Sequence, residues 1–423
     1  MSGKIITAID LGSSQISVVI AALNDNKKFE IKGFAAVEAK GIENGLVKDL
    51  QKASESISAA LNKAKKAAEI EINNLFVAIS GQHIVSKEAI GRISIANDSQ
   101  PCEINETHIT SVINDAKNSV KMNSNAEKLE ILDWIPQVYE IDNQPGITNP
   151  IGMSGFSLKA HLKFVQAEQN HVRNIRKALE MAIPKVEPKI VVGALAAADV
   201  VSNEDERMLG CVILDIGEGT TDIVIYQKSF FVKYLCLPKG GEAITSDLAV
   251  GLRTPPIMAE DIKIEHGNAL PATISSDQII DVEGIGGRAS QKRSLTWIAQ
   301  LTQTRAKDIL DNCYKEILAN FEELDSLNAG VVLTGGTALL NNIQFLVEDP
   351  NGFNLPCKIA YPDCKGISGA TSQLDNPRYS SLIGILNYAV KSGKIDDRTP
   401  GKIIDPGQVY KKIKDSFKKF IDF

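Results

Sequence analysis

At 423 residues, 43% of them hydrophobic and 23% charged, the chain has the composition of a globular protein and more length than one simple core needs. A formal net charge of −6 without a long basic patch excludes a general nucleic-acid binder. Polar residues interrupt every apolar run at the N-terminus, and no window approaches about eighteen uninterrupted apolar residues, so neither a signal peptide nor a spanning helix is expected.

Strands are expected at about 4–10, 15–22 and 30–37, followed by an Ala/Lys-rich helix over 51–69 and a further strand in "NLFVAIS". After a variable stretch, residues 168–183 read as helix, and "EPKIVVGALAAADVV" as strand then helix. A hairpin over 210–226 opens a second half. Gly240-Gly241 starts a helix, Pro255-Pro256 breaks it, and a second helix carries Glu260 and Lys263 on one face, three residues apart. That spacing usually means a surface ion pair. A long helix follows over 294–322. "VVLTGGTALLNNI" reads as a strand running into Gly335-Gly336 and then a helix, and "PRYSSLIGILNYAV" as a last helix. Strands alternating with helices predict α/β sheets covered on both faces. The six cysteines (102, 211, 236, 313, 357 and 364) are scattered. No CxxC or histidine accompanies Cys357 and Cys364, so reduced structural thiols are expected rather than a zinc site.

One internal similarity sets the architecture. "IDLGSSQISVVI", Ile9 to Ile20, is matched by "LDIGEGTTDIVI", Leu214 to Ile225. Asp10 aligns with Asp215 and Gly12 with Gly217. Each copy is an apolar strand ending in Asp, a polar glycine turn, and a second apolar strand, which is a β-hairpin. Such a turn can cradle phosphate through successive N–H groups. Ser13, Ser14, Thr220 and Thr221 add hydroxyl donors. A carboxylate beside a polyphosphate needs an intervening cation, so Asp10 and Asp215 imply Mg²⁺, held through water.

Two Asp-x-Gly hairpins, a later Gly-Gly turn and two small-residue helices (193–201 and 378–390, with Gly193, Ala196 and Gly384 at their crossing) resemble the two-lobed ATPase fold of actin, the heat-shock chaperone and sugar kinases. "YEIDNQPGITNPIGMSG", "DERMLG", "KGGEAITSDLAVGLRTPPIMAEDIKIEHGNAL", "DVEGIGGR" and "VVLTGGTALLNN" occur in order and resemble the bacterial cell-division family FtsA over essentially the whole chain. The resemblance implies an actin-like α/β fold with a distinctive 1C subdomain and a C-terminal amphipathic helix. Subdomain 1A would be 1–82 with 166–192 and part of 378–392, and 1C would be 83–165. Subdomain 2A would be 193–238 with 300–377, and 2B 239–299. A linker over 393–408 and a membrane-targeting helix over 409–423 would follow.

The resemblance also implies ATP and Mg²⁺ in the central cleft; hydrolysis is expected to be weak or absent, because Glu218 departs from the family's pattern. Asp10, Gly12, Ser13 and Ser14 would form one phosphate loop, and Asp215, Gly217, Gly219, Thr220 and Thr221 the other. Gly240, Gly241, Glu260 and Lys263 would hold ribose and adenine, with Gly335 and Gly336 closing the far side. Glu218 stands where the common pattern has a third glycine, and it either faces solvent or adds charge near the γ-phosphate. Implied partners are the chain itself in filaments, the C-terminal tail of FtsZ, FtsN and other late division proteins, and anionic lipid. The implied location is the cytoplasmic face of the inner membrane at the septum. The FtsZ tail is acidic and apolar, so a basic groove of Arg288, Lys292, Arg293 and Arg305 is expected, unless those cations form an ordinary solvated face. A soluble sugar or small-molecule kinase of the same fold is the competing expectation, and it has no use for the terminal helix.

The tail can be read without the family. Residues 391–408 hold Gly, Pro and mixed charge without apolar periodicity, as a linker does. Beyond them, at about 100° per residue, Val409, Tyr410, Ile413, Phe417, Phe420, Ile421 and Phe423 share one side. Lys411, Lys412, Lys414, Lys418 and Lys419 share the other, with Asp415 and Asp422. Apolar and aromatic anchors opposite lysines predict a helix lying in a membrane interface. Packing on the chain's own body is the commoner fate of an amphipathic helix.

Overall fold

The two matched hairpins lie within two sheets of the same strand order in the computed structural model, which describes residues 4–24, 26–96, 100–275, 278–369, 372–393 and 395. In the first half, β1 (Lys4–Leu11), β2 (Gln15–Leu23) and β3 (Phe29–Glu38) run antiparallel in sequence. Helix α1 (Leu50–Ala68) then returns the chain to β4 (Leu75–Ile79), parallel to β1, and β5 (Lys189–Val192) lies parallel outside β4. The second half repeats this plan. β6 (Cys211–Ile216), β7 (Thr221–Gln227) and β8 (Phe230–Leu237) are antiparallel, and β9 (Gly330–Thr334) and β10 (Cys357–Ile359) follow in parallel. The internal repeat thus extends from the hairpins to five strands per half. Residues 367–369 add an edge strand beside β3.

Both sheets are covered, so their central strands are apolar on both faces. In β6, Val212, Leu214 and Ile216 join the core under the second half's helices. Alternate residues Cys211 and Ile213 join the core shared with the first half. Those helices are α2 (Gly193–Val201) on the shared side, and α3 (Gly241–Leu252), α4 (Pro256–His266) and α5 (Leu295–Asn320) on the other. The last helix, α6 (Ser380–Lys391), crosses α2 as the small residues predicted. A Cβ on Gly384 would lie 2.1 Å from the Ala196 carbonyl oxygen.

Residues 84–168 build a unit of their own between β4 and the helix Gln169–Ala182. Strands Ile84–Ser94, Ser157–Glu168 and Leu129–Ile141 form an antiparallel sheet with an edge strand, Gln144–Ile147. The helix Glu106–Glu127 lies on it over a separate core containing Val112, Ala116, Tyr139, Leu158 and Phe164. The second half has its excursion at a different connection, between β8 and β9, where the first half has α1: it comprises α3, α4, the short hairpin Ile279–Val282 with Gln291–Ser294, and α5.

One expected helix is absent. After Gly335-Gly336 the chain makes only a 3-10 turn, Gly336–Leu339, and later a single helical turn, Gln344–Val347. The two asparagines between them explain why. Asn341 donates to the Gly267 carbonyl at 3.1 Å, Asn342 donates to Asn268 at 2.9 Å, and Asn342 takes a left-handed φ of 64° that stops helix propagation. Among the described residues no helix is long and apolar enough to cross a membrane. The expected linker, apart from Gly393 and Ile395, and the expected terminal helix lie outside the described residues.

Candidate functional site

The turns after β1 and β6 face each other across a cleft with an empty volume of about 1030 Å³, counting the part open to solvent. Gly12, Ser13 and Ser14 line it from one half, and Gly217, Glu218, Gly219 and Thr220 from the other. Glu260, Lys263, Gly335 and Gly336 also line it. Asp10 and Asp215 stand at the ends of the two central strands, half-buried on the cleft floor. Burial, then the neighbouring charge of Asp222, pushes the Asp10 carboxyl up to about 7. Burial, then Asp222 and Asp10, pushes Asp215 up to about 8, against a pull downward from the Ser381 hydroxyl that donates to it at 3.2 Å.

Uncompensated carboxylates at this depth suit a cation. The donor set is all hard oxygen, which fits Mg²⁺. Among the described residues no three His, Cys, Asp or Glu side chains converge as a metal cage. A cation held by Asp10 and Asp215 would therefore keep most of its waters. Gly335 completes the floor. Its φ is 87°, and a Cβ there would lie 2.4 Å from Asp215 Oδ1.

Three expected site residues stand one layer behind the surface. Thr221 is fully buried, and its hydroxyl donates to the Lys239 carbonyl at 2.8 Å. Gly240 and Gly241 begin α3, and loop two is bonded to that start. Gly241 N–H donates to the Gly217 carbonyl and Glu242 N–H to the Glu218 carbonyl, both at 2.9 Å. The carbonyls of the phosphate-type turn thus satisfy N–H groups that a helix start leaves unpaired. Thr337 adds a hydroxyl bond to Gly217 O at 2.8 Å.

Glu260 and Lys263 are not a surface pair. Lys263 is 8% exposed, with its ammonium 2.7 Å from Glu260, 2.9 Å from Thr245 Oγ1 and 3.2 Å from the Gly241 carbonyl. Glu218 turns toward it, 3.4 Å away, instead of facing solvent.

Sequence reasoning missed Ser80, Asp222 and Tyr234. Ser80 follows β4 in the first half, and its hydroxyl donates to Asp222 of β7 at 2.6 Å and lies 3.0 Å from Thr220 Oγ1. Tyr234 of β8 donates to the other Asp222 oxygen at 2.5 Å. Asp222 had a signal, since an aspartate inside an apolar strand needs a partner. Its partner Ser80 did not. Arg378, in the 3-10 turn Pro377–Tyr379, and Ser381, in the first turn of α6, also line the cleft.

The four candidate partner cations differ in exposure and in their internal bonds. Arg288 and Lys292 are exposed, and Arg288 donates to the Ile285 carbonyl at 2.8 Å. Arg293 is half-buried and bonds Gln291. Arg305, on α5, forks onto Asp247 at 2.7 and 3.0 Å and reaches Asp308 at 3.1 Å.

Two sheets of one plan, joined by crossing helices and facing each other over paired Asp-x-Gly turns, define an actin-like protein. Solved structures share the fold. That of the PilM-PilN type IV pilus biogenesis complex aligns with a TM-score of 0.60 at 12% identity, covering 91% of this chain and 98% of that one. MreB5 of Spiroplasma citri bound to ADP aligns at 0.51 and 17% identity, covering 92% and 98%. In sequence, residues 212–384 match the family "Cell division protein FtsA", and 81–166 the "SHS2 domain inserted in FTSA". The cell division protein FtsA of Escherichia coli (strain K12) is 31% identical over 395 residues, covering 92% of this chain and 91% of that protein. That of Borreliella burgdorferi (strain ATCC 35210) is 30% identical over 422 residues, covering 99% of each. The chain belongs to the FtsA family of cell division proteins.

Proposed function

We propose that this chain binds ATP with Mg²⁺ in the central cleft, assembles into actin-like filaments on the cytoplasmic face of the inner membrane, and there tethers FtsZ and recruits later division proteins. The observation that carries the nucleotide reading is the pair Asp10 and Asp215, held close and starved of compensating charge on the floor of a two-walled cleft. Support also comes from the fold neighbours: MreB5 of Spiroplasma citri was solved with ADP and with AMPPNP, and MamK as a double helical filament. Bound Mg²⁺ would neutralise phosphate charge between the two aspartates.

The residues of this chain then do the rest. The turns at Gly12–Ser14 and Gly217–Thr220 offer N–H and hydroxyl donors to phosphate from both lobes. Lys263 and Glu260 offer a donor and an acceptor to the nucleoside. Gly335-Gly336 leaves room for a flat ring. Loop two is bonded to the start of α3, so contacts made by a phosphate there pull directly on the outer part of the second half. The subdomain division belongs to the same proposal, and the separate core of residues 84–168 supports 1C as a unit.

The terminal segment 409–423 would attach the filament to anionic lipid. One such helix binds weakly, and many copies in a filament gain about 10²–10⁴ in avidity. The test is co-sedimentation with anionic liposomes, with and without ATP-Mg²⁺, for the full chain and for a chain stopped after Asp405. ATP-strengthened pelleting that the truncation abolishes is expected. Equal behaviour of the two chains would overturn the tether.

A further inference from the structure

Lys263 sits where four oxygens compete for three ammonium protons. Three of these partners belong to the α3–α4 region: Glu260 at 2.7 Å, Thr245 at 2.9 Å and the Gly241 carbonyl at 3.2 Å. They form a closed set, because the Thr245 hydroxyl also donates to Glu260 at 2.5 Å. The fourth partner, Glu218, comes from the phosphate-type turn and is the most distant at 3.4 Å. Its side chain is 25% exposed, whereas that of Lys263 is 8% exposed. Both line the cleft. The Glu218 backbone is fixed by the bond from Glu242 N–H, so its side chain can swing without moving the turn.

We infer that Glu218 is a positioning residue that stands in for the nucleoside: its carboxylate occupies the cleft-facing proton of Lys263 and must be displaced by a ring nitrogen or ribose oxygen of the incoming nucleotide. This rests on the nucleotide reading of the cleft and adds to it a built-in competitor. Two consequences follow. The nucleoside itself binds more weakly than Lys263 alone would allow, because its acceptor replaces an ion pair rather than filling a gap. The displaced carboxylate then lies beside the phosphate turn, where its charge opposes polyphosphate unless a divalent cation is present.

The two effects separate with adenosine, which carries no phosphate. A fluorescent ATP analogue is titrated into the full chain, and adenosine, ATP-Mg²⁺ and ATP with EDTA are used to displace it, for wild type, Glu218→Gln and Glu218→Asp. Glu218→Gln keeps the shape of a part-exposed side chain and is expected to fold. It should tighten adenosine about fivefold, the worth of a long ion pair of ~1 kcal/mol. It should tighten ATP in EDTA further still. Glu218→Asp keeps the charge but is one methylene short of Lys263, so it should tighten adenosine and leave ATP in EDTA weak. Adenosine affinity unchanged or lowered in both variants, with wild type binding ATP-Mg²⁺ normally, overturns the inference and leaves the nucleotide reading standing. No saturable binding of the analogue by any of the three proteins removes the nucleotide reading and the inference together.

Discussion

Ser80 and Asp222 meet at the floor of the cleft, the Ser80 hydroxyl donating to Asp222 Oδ2 at 2.6 Å. One directly follows β4 of the first sheet and the other lies in β7 of the second, so this bond joins the halves. Asp222 is only 4% exposed, and burial raises its pKa while Ser80 and Tyr234 pull it down. Ser80→Ala removes a hydrogen bond to a buried carboxylate. A loss of about 2 kcal/mol in unfolding free energy is expected, read by urea denaturation at pH 8. No change in the urea midpoint would mean that Tyr234, with Cys236 and Thr220, satisfies Asp222 without Ser80.

Asp215 titrates against folding. Its folded pKa is raised to about 8 while the unfolded value stays near 3.8, so folding favours the protonated form. The contribution to stability is present below the unfolded value and is lost as pH climbs through about 8. Asp215→Asn removes that loss. The nucleotide-free variant should be more stable than wild type at pH 8.5 by at least about 1 kcal/mol, with the gap shrinking toward pH 5. The same variant should lose the thermal protection given by ATP-Mg²⁺. Thermal melts across pH, with and without ATP-Mg²⁺, check both. A variant less stable than wild type at pH 8.5 contradicts the charge strain.

Gly384 holds two helices in contact. Any side chain there would drive into the Ala196 carbonyl at 2.1 Å, in the middle of α2. Gly384→Val should separate α2 from α6 at a cost of about 3 kcal/mol, lowering the melting temperature of the whole chain. Ala196→Gly should be milder, because it removes only a methyl group and introduces no clash. Equal stability of Gly384→Val and wild type would show that the crossing can slide.

The four cations expected to dock an acidic tail should divide by their internal bonds. Arg305 is already committed to Asp247 and Asp308 in a half-exposed network, so Arg305→Ala should cost within about 1 kcal/mol of stability. Lys292 is exposed on the edge hairpin and available to a partner. Lys292→Glu should weaken binding of an acidic, apolar FtsZ tail peptide severalfold and leave the melting temperature unchanged. Peptide binding that falls with Arg305→Ala and ignores Lys292→Glu would move the site onto α5.

The paired hairpins, the alternation of strand and helix, and the small residues at the α2–α6 crossing were all legible in the sequence, because each is a local pattern. A strand's apolar run, a glycine turn and an i, i+3 spacing are set by neighbours a few residues apart. By that route Asp10 and Asp215 could be matched across two hundred residues before any contact was known. What local pattern could not supply was the identity of partners. Gly335-Gly336 reads as a strand-to-helix turn, yet Asn341 and Asn342 spend their amides on Gly267 and Asn268, seventy-odd residues earlier in the chain, and the helix does not form. Lys263 and Glu260 read as a surface pair until α3 and the phosphate-type turn close over them and bring Glu218 to the ammonium. Ser80 is an unremarked serine at the end of a strand until the second sheet places Asp222 opposite it. Sequence alone determined the two-lobed plan and the chemistry available to the cleft. Tertiary structure decided which charges meet and how deeply they are buried, since burial and pairing depend on segments far apart in the chain, and these set whether a carboxylate is strained, satisfied or displaceable.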